Sequence, residues 1–252
     1  MTVDIVKGGK RVFYAAHVLS ESNLQYKRLV LLPIPSTKDG IRVNGTDVTL
    51  ESLCEETDSS CAVCGYGLPS WFSDKITSLG GTVYDALYDE NFQQKNADLT
   101  AIGVLGEIIS EKGKAPSEVR FGVIGYGRIG SLLVKYLSFL GASPVVFSSR
   151  ESVRHSLGEW GIETLSGEDI SEFSKIDVLI NTAPKCITDK QGAELLHNLG
   201  VSLFDLASGE NFGGSECVMR LPAVPDRVFP ESAGYAYAQA ICKYLGSFSD
   251  KK

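Results

Sequence analysis

The sequence predicts an α/β protein of two domains, each built on a mostly parallel sheet. The chain has 252 residues, which is enough for two domains of ordinary size. Short apolar segments typical of buried strands alternate with helical segments, and such alternation favours parallel sheets. A segment at residues 98–111 has apolar residues at helical spacing and separates two such blocks. We therefore predict domains at residues 1–95 and 96–252, the second including this helix and the C-terminal helices.

Three strands and one helix are predicted in the first block. They lie at residues 29–34, 61–65 and 82–84 for the strands and at residues 69–79 for the helix. Asn44-Gly45 favours a tight turn, so a hairpin is predicted over residues 41–50. Residues 12–15 are the only strand candidate near the start of the chain. Cys61 and Cys64 have the spacing of metal ligands, but no second cysteine pair or nearby histidine completes a tetrahedral set. We interpret both as buried strand residues.

The second block has a clearer pattern of strands and helices. Its strands are predicted at residues 120–124, 144–147, 178–181 and 202–206, with helices at residues 131–140 and 231–245. The last helix follows Pro230, which is a common position for proline at a helix start.

Composition and charge exclude several functional classes. The chain is 43% hydrophobic and 22% charged, as in globular proteins, and no apolar run reaches the ~18 residues of a membrane helix. Its net charge of −7 argues against nucleic acid as the main partner. Asp4 and Lys7 interrupt the apolar N-terminal stretch, so no signal peptide is predicted. Six cysteines in a chain of this length do not form a disulfide scaffold. We expect a cytoplasmic protein that binds neither membranes nor a metal.

A glycine-rich segment carries the strongest functional signal. Gly125-Tyr126-Gly127-Arg128-Ile129-Gly130 matches the GxGxxG pattern and lies between a predicted strand and an amphipathic helix. In this context the first glycine allows a tight turn, the second admits a pyrophosphate, and the third lets the helix approach the strand. The helix N-terminus supplies N–H donors to the phosphates. The sequence therefore predicts a Rossmann-like dinucleotide-binding domain, the alternative being a glycine-rich turn without a ligand.

The end of the next predicted strand favours NADP over NAD. NAD-binding domains usually place an acidic residue there to hold the ribose hydroxyls. This chain has Ser148-Ser149-Arg150 followed by Arg154, and its first carboxylate, Glu151, lies beyond the strand. Hydroxyls and guanidinium groups suit a 2′-phosphate. In the alternative interpretation, the two arginines only cap or solvate the following helix.

Several motifs in order carry a resemblance to a known family. They are Leu32-Pro33-x-Pro35-Ser36, Asn96-Ala97-x-x-Thr100-x-x-Gly103, the two segments above, Asn181-Thr182-Ala183-Pro184, Asp205-Leu206-Ala207-Ser208, Gly213-Gly214, Leu221-Pro222 and Pro230-Glu231-Ser232-Ala233-Gly234. Over residues 29–245 the chain resembles the A chain of dipicolinate synthase. Its dinucleotide domain is also distantly similar to D-2-hydroxyacid dehydrogenases and adenosylhomocysteinase.

The resemblance implies a cleft enzyme with two Rossmann-like domains, a long connecting helix and a returning C-terminal helix. The implied activity is NADP-dependent oxidation of dihydrodipicolinate, a small cyclic dicarboxylate, in sporulation, with a flavoprotein B chain as possible partner. We also expect a homo-oligomer. The resemblance also implies cofactor contacts outside the glycine-rich turn and the serine–arginine segment. They are Asn181, Thr182, Ala183, Pro184, Asp205, Leu206, Ala207 and Ser208. The substrate candidates are Ser36, Thr37, Lys38 and Thr100. In the alternative interpretation, the segments after the strands are ordinary strand-to-helix turns without a ligand. Lys38 is then an exposed lysine of its loop that contacts only solvent.

The chain departs from the family pattern at three places. The family opens with a strand and a Gly-Asp turn, for which we expect no counterpart here, so the first domain is predicted to lack a βα unit. Ile102 stands where the family has glutamate, and Glu210-Asn211-Phe212 replaces a Pro-Gly turn. Two alternative functions therefore stay open: a catalytically silent NADP-binding subunit or sensor, and a dehydrogenase of another small oxo or imino acid. With Leu99, Leu105 and Ile109, Ile102 also continues an apolar stripe, which predicts a core position.

None of the three histidines, His17, His155 and His197, falls where a hydroxyacid dehydrogenase places its acid–base histidine. His155 and His197 lie on polar helical stretches and are predicted to face solvent. No catalytic residue is assigned from the sequence.

Overall fold

The computed structural model describes the backbone of residues 1–249 and the side chains of residues 1–246. Its strands are β1 (Thr2–Ile5), β2 (Arg28–Leu31), β3 (Cys61–Gly65), β4 (Thr82–Asp85), β5 (Phe121–Ile124), β6 (Val145–Phe147), β7 (Thr164–Leu165), β8 (Val178–Asn181), β9 (Ser202–Asp205) and β10 (Val218–Arg220). Its α-helices are α1 (Lys10–Ser20), α2 (Leu50–Glu55), α3 (Ser70–Ser78), α4 (Glu90–Lys112), α5 (Arg128–Phe139), α6 (Glu151–Glu159), α7 (Lys190–Asn198), α8 (Val224–Val228) and α9 (Pro230–Ser249).

The chain divides into two compact units, and the boundary differs from the predicted one. The first unit contains Met1–Asn96 together with the segment from Pro225 onward, and the second contains Ala97–Val224. Helix α4 begins in the first unit and continues into the second, as expected for the long connecting helix. The last helix, predicted to lie in the second domain, belongs to the first unit, where α9 packs against α1. No described helix is long and apolar enough to span a bilayer.

The first unit contains a parallel sheet with helices on both faces. Its strand order is β1-β2-β3-β4. Because successive side chains of a strand point to opposite faces, Leu29 and Leu31 pack with α1 and α9, whereas Val30 and Leu32 pack with α2 and α3. Each face of the sheet therefore buries its own apolar layer.

The N-terminal part of this unit corrects two expectations. An opening strand, β1, is present and pairs with β2, and helix α1 follows it, so the expectation of a missing opening strand is wrong. Residues 12–15, predicted as a strand, lie inside α1, whose buried residues Val12, Ala15, Ala16 and Leu19 recur at helical spacing. The predicted hairpin is reduced to one antiparallel bridge between Arg42 and Thr49, because Leu50 already begins α2. Strand β3 is buried throughout, as predicted for Cys61 and Cys64.

The second unit contains a six-stranded parallel sheet in the order β10-β9-β8-β5-β6-β7. Counted along the chain within this unit, the order is 6-5-4-1-2-3, which is that of the Rossmann fold. The four predicted strands are present as β5, β6, β8 and β9, and all but one residue of them are buried. The two edge strands, β7 and β10, were not predicted. Chain order reverses between β5 and β8, which defines the topological switch point of the sheet.

Candidate functional site

Four predicted segments meet at the carboxyl edge of the six-stranded sheet. The register pairs Ile124 at the end of β5 with Phe147 at the end of β6 and with Asn181 at the end of β8. Asn181 in turn pairs with Asp205, the last residue of β9. The glycine-rich turn, the serine–arginine segment and the two segments after β8 and β9 therefore start side by side. Open α/β sheets bind ligands at this edge, next to the switch point.

The three glycines of the turn have three different environments. Gly125 has φ +90°, in the left-handed region, and a Cβ there would lie 2.9 Å from Thr182 Oγ1. A Cβ at Gly130 would lie 2.2 Å from the carbonyl oxygen of Gly125, because α5 approaches β5 closely at this point. A Cβ at Gly127 would meet no atom within 4 Å. Gly127 thus leaves open space at the N-terminus of α5, and it caps that helix without any side-chain hydrogen bond.

The turn is held in place by its neighbours in the sheet. The N–H of Gly125 donates to the carbonyl of Phe147 at 2.9 Å. Thr182 donates to the carbonyl of Ile124 from both its backbone nitrogen and its hydroxyl, each at 2.9 Å. The segment after β8 therefore holds the turn after β5 in place. Of the other residues of the turn, Tyr126 and Ile129 are half-buried, and Gly127 and Arg128 are exposed to solvent.

The serine–arginine segment brings two guanidinium groups to this edge. Arg150 donates from Nη2 to the carbonyl of Tyr126 at 3.3 Å, and Arg154 donates from Nη1 to the carbonyl of Ser148 at 2.6 Å. Ser148 is buried and its hydroxyl accepts from the N–H of Arg150, while Ser149 is exposed. In the described part of the chain, neither arginine forms an ion pair with a carboxylate. Two positive charges therefore lie beside the glycine-rich turn without a neutralising acid.

Asn181 and Asp205 form a buried amide–carboxylate network. Their exposed fractions are 0% and 3%, and Asn181 Nδ2 donates to Asp205 Oδ1 at 2.9 Å. Asn181 also exchanges hydrogen bonds with the backbone of Ala183, and the N–H of Ala207 donates to Asp205. Asn211 Nδ2 donates to Asp205 Oδ2 at 3.1 Å. These two side chains, predicted as cofactor contacts, thus shape the segments around them, whereas Pro184 and Ser208 are exposed and Thr182, Ala183, Leu206 and Ala207 are half-buried.

The sequence did not single out Asn211 as a site residue. It lies in the segment Glu210-Asn211-Phe212 that departs from the family pattern, and that departure was the available signal. Asn211 is only 4% exposed and Phe212 only 2%, so the segment closes over Asp205 as part of the core.

Two cavities adjoin the edge of this sheet. One, of about 320 Å³, lies between Tyr126 and α6 and is lined by Val153, Leu157 and Trp160 among others. The other, of about 600 Å³, follows β7 and is lined by Glu168, Asp169 and Glu172 among others. The three carboxylates of the larger cavity would repel a phosphate, because both carry negative charge. The glycine-rich turn with its two arginines is therefore the better phosphate site.

The substrate candidates are divided between the two units. Ser36, Thr37 and Lys38 follow β2 in the first unit, whereas Thr100 is buried on the part of α4 that belongs to the second. Ser36 is 0% exposed, and its hydroxyl donates to the carbonyl of Pro33 and accepts from the N–H of Tyr66 at 2.7 Å. The hydroxyl of Ser36 therefore supports its loop, and a ligand contact at Ser36 stays a prediction. The side chain of Thr37 is half-buried and that of Lys38 is exposed.

Ile102 is not a core residue. Its exposed fraction is 43%, although Leu99 and Leu105 on the same helix are 7% and 4% exposed. The expectation that Ile102 continues the buried stripe is thus wrong, because its position falls outside the buried face of α4. His155 and His197 are exposed, as predicted.

The comparison with solved structures agrees with this architecture. No protein-family model and no curated protein sequence matches the chain. The A chain of dipicolinate synthase from Bacillus halodurans superposes with a TM-score of 0.76 at 21% identity, covering 96% of this chain and 97% of that one. The protein has the fold of this dipicolinate synthase component. The A chain of dipicolinate synthase from Bacillus subtilis gives 0.75 at 17% identity, with 99% and 97% covered. A transhydrogenase from Sinorhizobium meliloti gives 0.65 at 14% identity, with 98% and 94% covered.

Proposed function

We propose that this chain is an NADP-dependent oxidoreductase that oxidises dihydrodipicolinate, a small cyclic dicarboxylate, to dipicolinate. The observation that carries the cofactor assignment is the open space at Gly127, next to the switch point and flanked by Arg150 and Arg154. A nucleotide phosphate is the ligand favoured by a helix N-terminus without a side-chain cap and by guanidinium groups without a carboxylate partner. The similarity in fold to the A chain of dipicolinate synthase supports the substrate assignment.

The residues present fit NADP in three places. The N-terminus of α5 and the backbone at Gly127 would hold the pyrophosphate. Ser149, Arg150 and Arg154 would hold the 2′-phosphate, since the arginines lack a carboxylate partner in the described chain. The cavity between Tyr126 and α6 is an apolar neighbour for the adenosine end. When bound, the nicotinamide ring supplies the hydride acceptor.

The chemistry requires little more from the protein than orientation and charge neutralisation. Oxidation of dihydrodipicolinate removes a hydride, for which a bound nicotinamide would be the acceptor, and a proton, which would pass to solvent or a base. The product ring is aromatic, so loss of the hydride is favourable once the ring is oriented and water is excluded. Lys38, exposed after β2, is a candidate to neutralise one carboxylate, and the hydroxyl of Thr37 is a candidate to hydrogen-bond it. In this structure the hydroxyl of Thr37 accepts a hydrogen bond from the N–H of Gly40 and so stabilises its own loop.

A catalytically silent NADP-binding protein is the second candidate, and one observation favours it. Ile102 is exposed at the position where the resembling family has a glutamate, and isoleucine accepts neither a proton nor a hydrogen bond. If the glutamate serves as the base, its absence leaves the proton without an acceptor on the protein. Cofactor binding would then persist while turnover is lost.

The test measures binding and turnover separately. Calorimetry with NADP⁺ and NAD⁺ determines cofactor preference, and absorbance of the reduced nicotinamide follows turnover of dihydrodipicolinate with and without a flavoprotein partner chain. Tight NADP⁺ binding with turnover supports the enzyme. Tight binding without turnover in either assay supports the silent protein, and no binding of either dinucleotide contradicts both.

A further inference from the structure

The first unit contains a buried arginine without an anionic partner. Arg11, the second residue of α1, has an exposed fraction of 4%. Its Nη1 donates to Asn96 Oδ1 at 3.0 Å, but its enclosed Nε has no acceptor. Among the residues that the structure describes, no acceptor for Nη2 and no ion pair with this guanidinium is found either. The Nε–Nη2 edge, which binds carboxylates side-on in many proteins, is therefore unused.

Asp226 does not fill this role. Its Oδ1 accepts from the backbone N–H of Arg11 at 2.8 Å, so it caps the first turn of α1. Burial lowers the pKa of Arg11, and the charges of Asp226, Tyr237 and Tyr66 only partly oppose this effect. An arginine nonetheless stays protonated in proteins, so a buried charge is left without a full counter-charge.

A second unpartnered donor lies in the same environment. Tyr237 on α9 is 0% exposed, and its hydroxyl has no hydrogen-bond partner. Burial raises its pKa well above the usual value, so the hydroxyl keeps its proton and is a donor. Buried hydroxyls are normally hydrogen-bonded, and each exception needs an explanation. Tyr237 is close enough to Arg11 for their charges to interact.

The surrounding backbone places Arg11 at the edge of the sheet where parallel sheets bind ligands. Arg11 lies at the start of the helix after β1, and Tyr66 directly follows β3. The strands of this sheet are parallel, so both residues lie at its carboxyl edge. Ser36, which opens the Thr37–Lys38 loop after β2, is hydrogen-bonded to the backbone of Tyr66 at this edge. Open parallel sheets bind small molecules there.

We propose that the guanidinium of Arg11 and the hydroxyl of Tyr237 hold a carboxylate of a small organic acid. In this arrangement the Nε–Nη2 edge of Arg11 would donate to two carboxylate oxygens, and the phenol of Tyr237 would donate to one of them. This inference deepens the proposed function, on which the choice of a ring dicarboxylate as probe rests. A carboxylate of single charge matches this donor set better than a phosphate dianion, because one buried guanidinium supplies only one positive charge.

The test uses calorimetric titration of the full-length protein with pyridine-2,6-dicarboxylate. Arg11→Lys keeps the charge but removes the two-nitrogen edge, so its affinity should fall at least ~10-fold. Arg28→Lys is the matched control, because Arg28 begins β2 and therefore lies at the amino edge, where it pairs with Asp4 and Glu56. The control should bind as the wild type does. Equal affinity in Arg11→Lys and wild type, or no binding to the wild type, would overturn the proposal.

Tyr237→Phe keeps the proposal testable if Arg11→Lys does not fold. Removing a hydroxyl that has no partner should leave the melting temperature unchanged or higher, while affinity for the dicarboxylate falls roughly 10- to 150-fold for one lost hydrogen bond to a charged group. A lower melting temperature with unchanged affinity means that the hydroxyl is structural, which contradicts the proposal. Inorganic phosphate serves as the second probe. If it binds as tightly as the dicarboxylate, selection of a carboxylate is refuted.

The two proposals fail in different ways. If the dicarboxylate binds through Arg11 but neither dinucleotide binds, the proposed function fails and the carboxylate site stands. If NADP⁺ binds and turnover occurs, but Arg11→Lys leaves KM for the dicarboxylate unchanged, the carboxylate site fails and the proposed function stands.

Discussion

Replacing Gly127 by alanine tests the dinucleotide site most directly, because the structure predicts almost no effect on stability and a large loss of ligand binding. The added Cβ meets no protein atom within 4 Å, and the backbone at Gly127, with φ −92° and ψ −161°, is extended and open to alanine. Alanine is a poorer helix cap than glycine by about 0.5–1 kcal/mol. It also lowers the entropy of the unfolded chain, which stabilises the fold by about 0.4–1 kcal/mol. The net change in the free energy of unfolding should therefore lie within about 0.5 kcal/mol of zero.

The effect on cofactor affinity should be much larger. The same Cβ enters the space in which the pyrophosphate would approach the backbone. Displacing a phosphate costs at least one hydrogen bond to a charged group, about 1.5–3 kcal/mol. We therefore expect NADP⁺ to bind roughly 10- to 150-fold more weakly to Gly127→Ala than to the wild type.

Two other glycines provide the comparison. Gly130→Ala places a Cβ 2.2 Å from the carbonyl oxygen of Gly125, so it should destabilise the fold by overpacking, by about 1–3 kcal/mol or more. Gly106 is exposed inside α4 with nothing within 4 Å of its Cβ, so alanine there should raise stability by about 1 kcal/mol and leave affinity unchanged. Calorimetric titration gives the affinities and urea denaturation the stabilities. Wild-type NADP⁺ affinity in Gly127→Ala would refute the assignment of this space to the pyrophosphate.

Three further substitutions test the neighbouring residues. NADP⁺ should bind at least ~10-fold more tightly than NAD⁺, a difference of about 1.4 kcal/mol that Arg150→Ala should largely remove; equal affinities in the wild type would end this prediction. Ile102→Glu should increase turnover of dihydrodipicolinate by up to ~10²–10⁴-fold if a general base is missing, with NADP⁺ affinity unchanged, whereas rapid turnover by the wild type would show that no base is needed here. Asn211→Ala removes a donor to the buried Asp205 and should lower the free energy of unfolding by about 1–3 kcal/mol in urea denaturation; an effect no larger than that of the exposed Asn198→Ala would contradict the network.

The central strands of the six-stranded sheet could be predicted because burial determines their composition. Strands β5 and β8 are buried at every residue, and a parallel strand covered on both faces is a short, continuous apolar run. The edge strands β7 and β10 lack this signal, since their residues are half-buried or exposed. The same reason explains why β1, an edge strand with no fully buried residue, was not recognised. Helix α1 was misread because its apolar pairs, Val12-Phe13 and Ala15-Ala16, locally resemble a strand.

The glycine-rich turn could be predicted because its function depends on neighbours in the sequence. Strand, turn and helix are continuous there, and each of the three glycines has the environment that its position in the pattern implies. The pair formed by Arg11 and Tyr237 has no such local signal. The two residues lie near opposite ends of the chain and come together only because α9 packs against α1.

A polar residue that follows a strand can form hydrogen bonds with the protein itself, and the sequence pattern does not distinguish this from binding a ligand. Ser36, Asn181 and Asp205 follow strands of parallel sheets, where such sheets bind ligands, and the family resemblance implied ligand contacts for all three. Each is nevertheless at most 3% exposed, and its side chain is engaged in hydrogen bonds with the protein. A loop that leaves a buried strand must satisfy its backbone N–H and carbonyl groups, and these side chains do so. In the described part of the chain, the buried side-chain atoms without a hydrogen-bond partner are instead Arg11 Nε and the Tyr237 hydroxyl, on which the proposed carboxylate site rests.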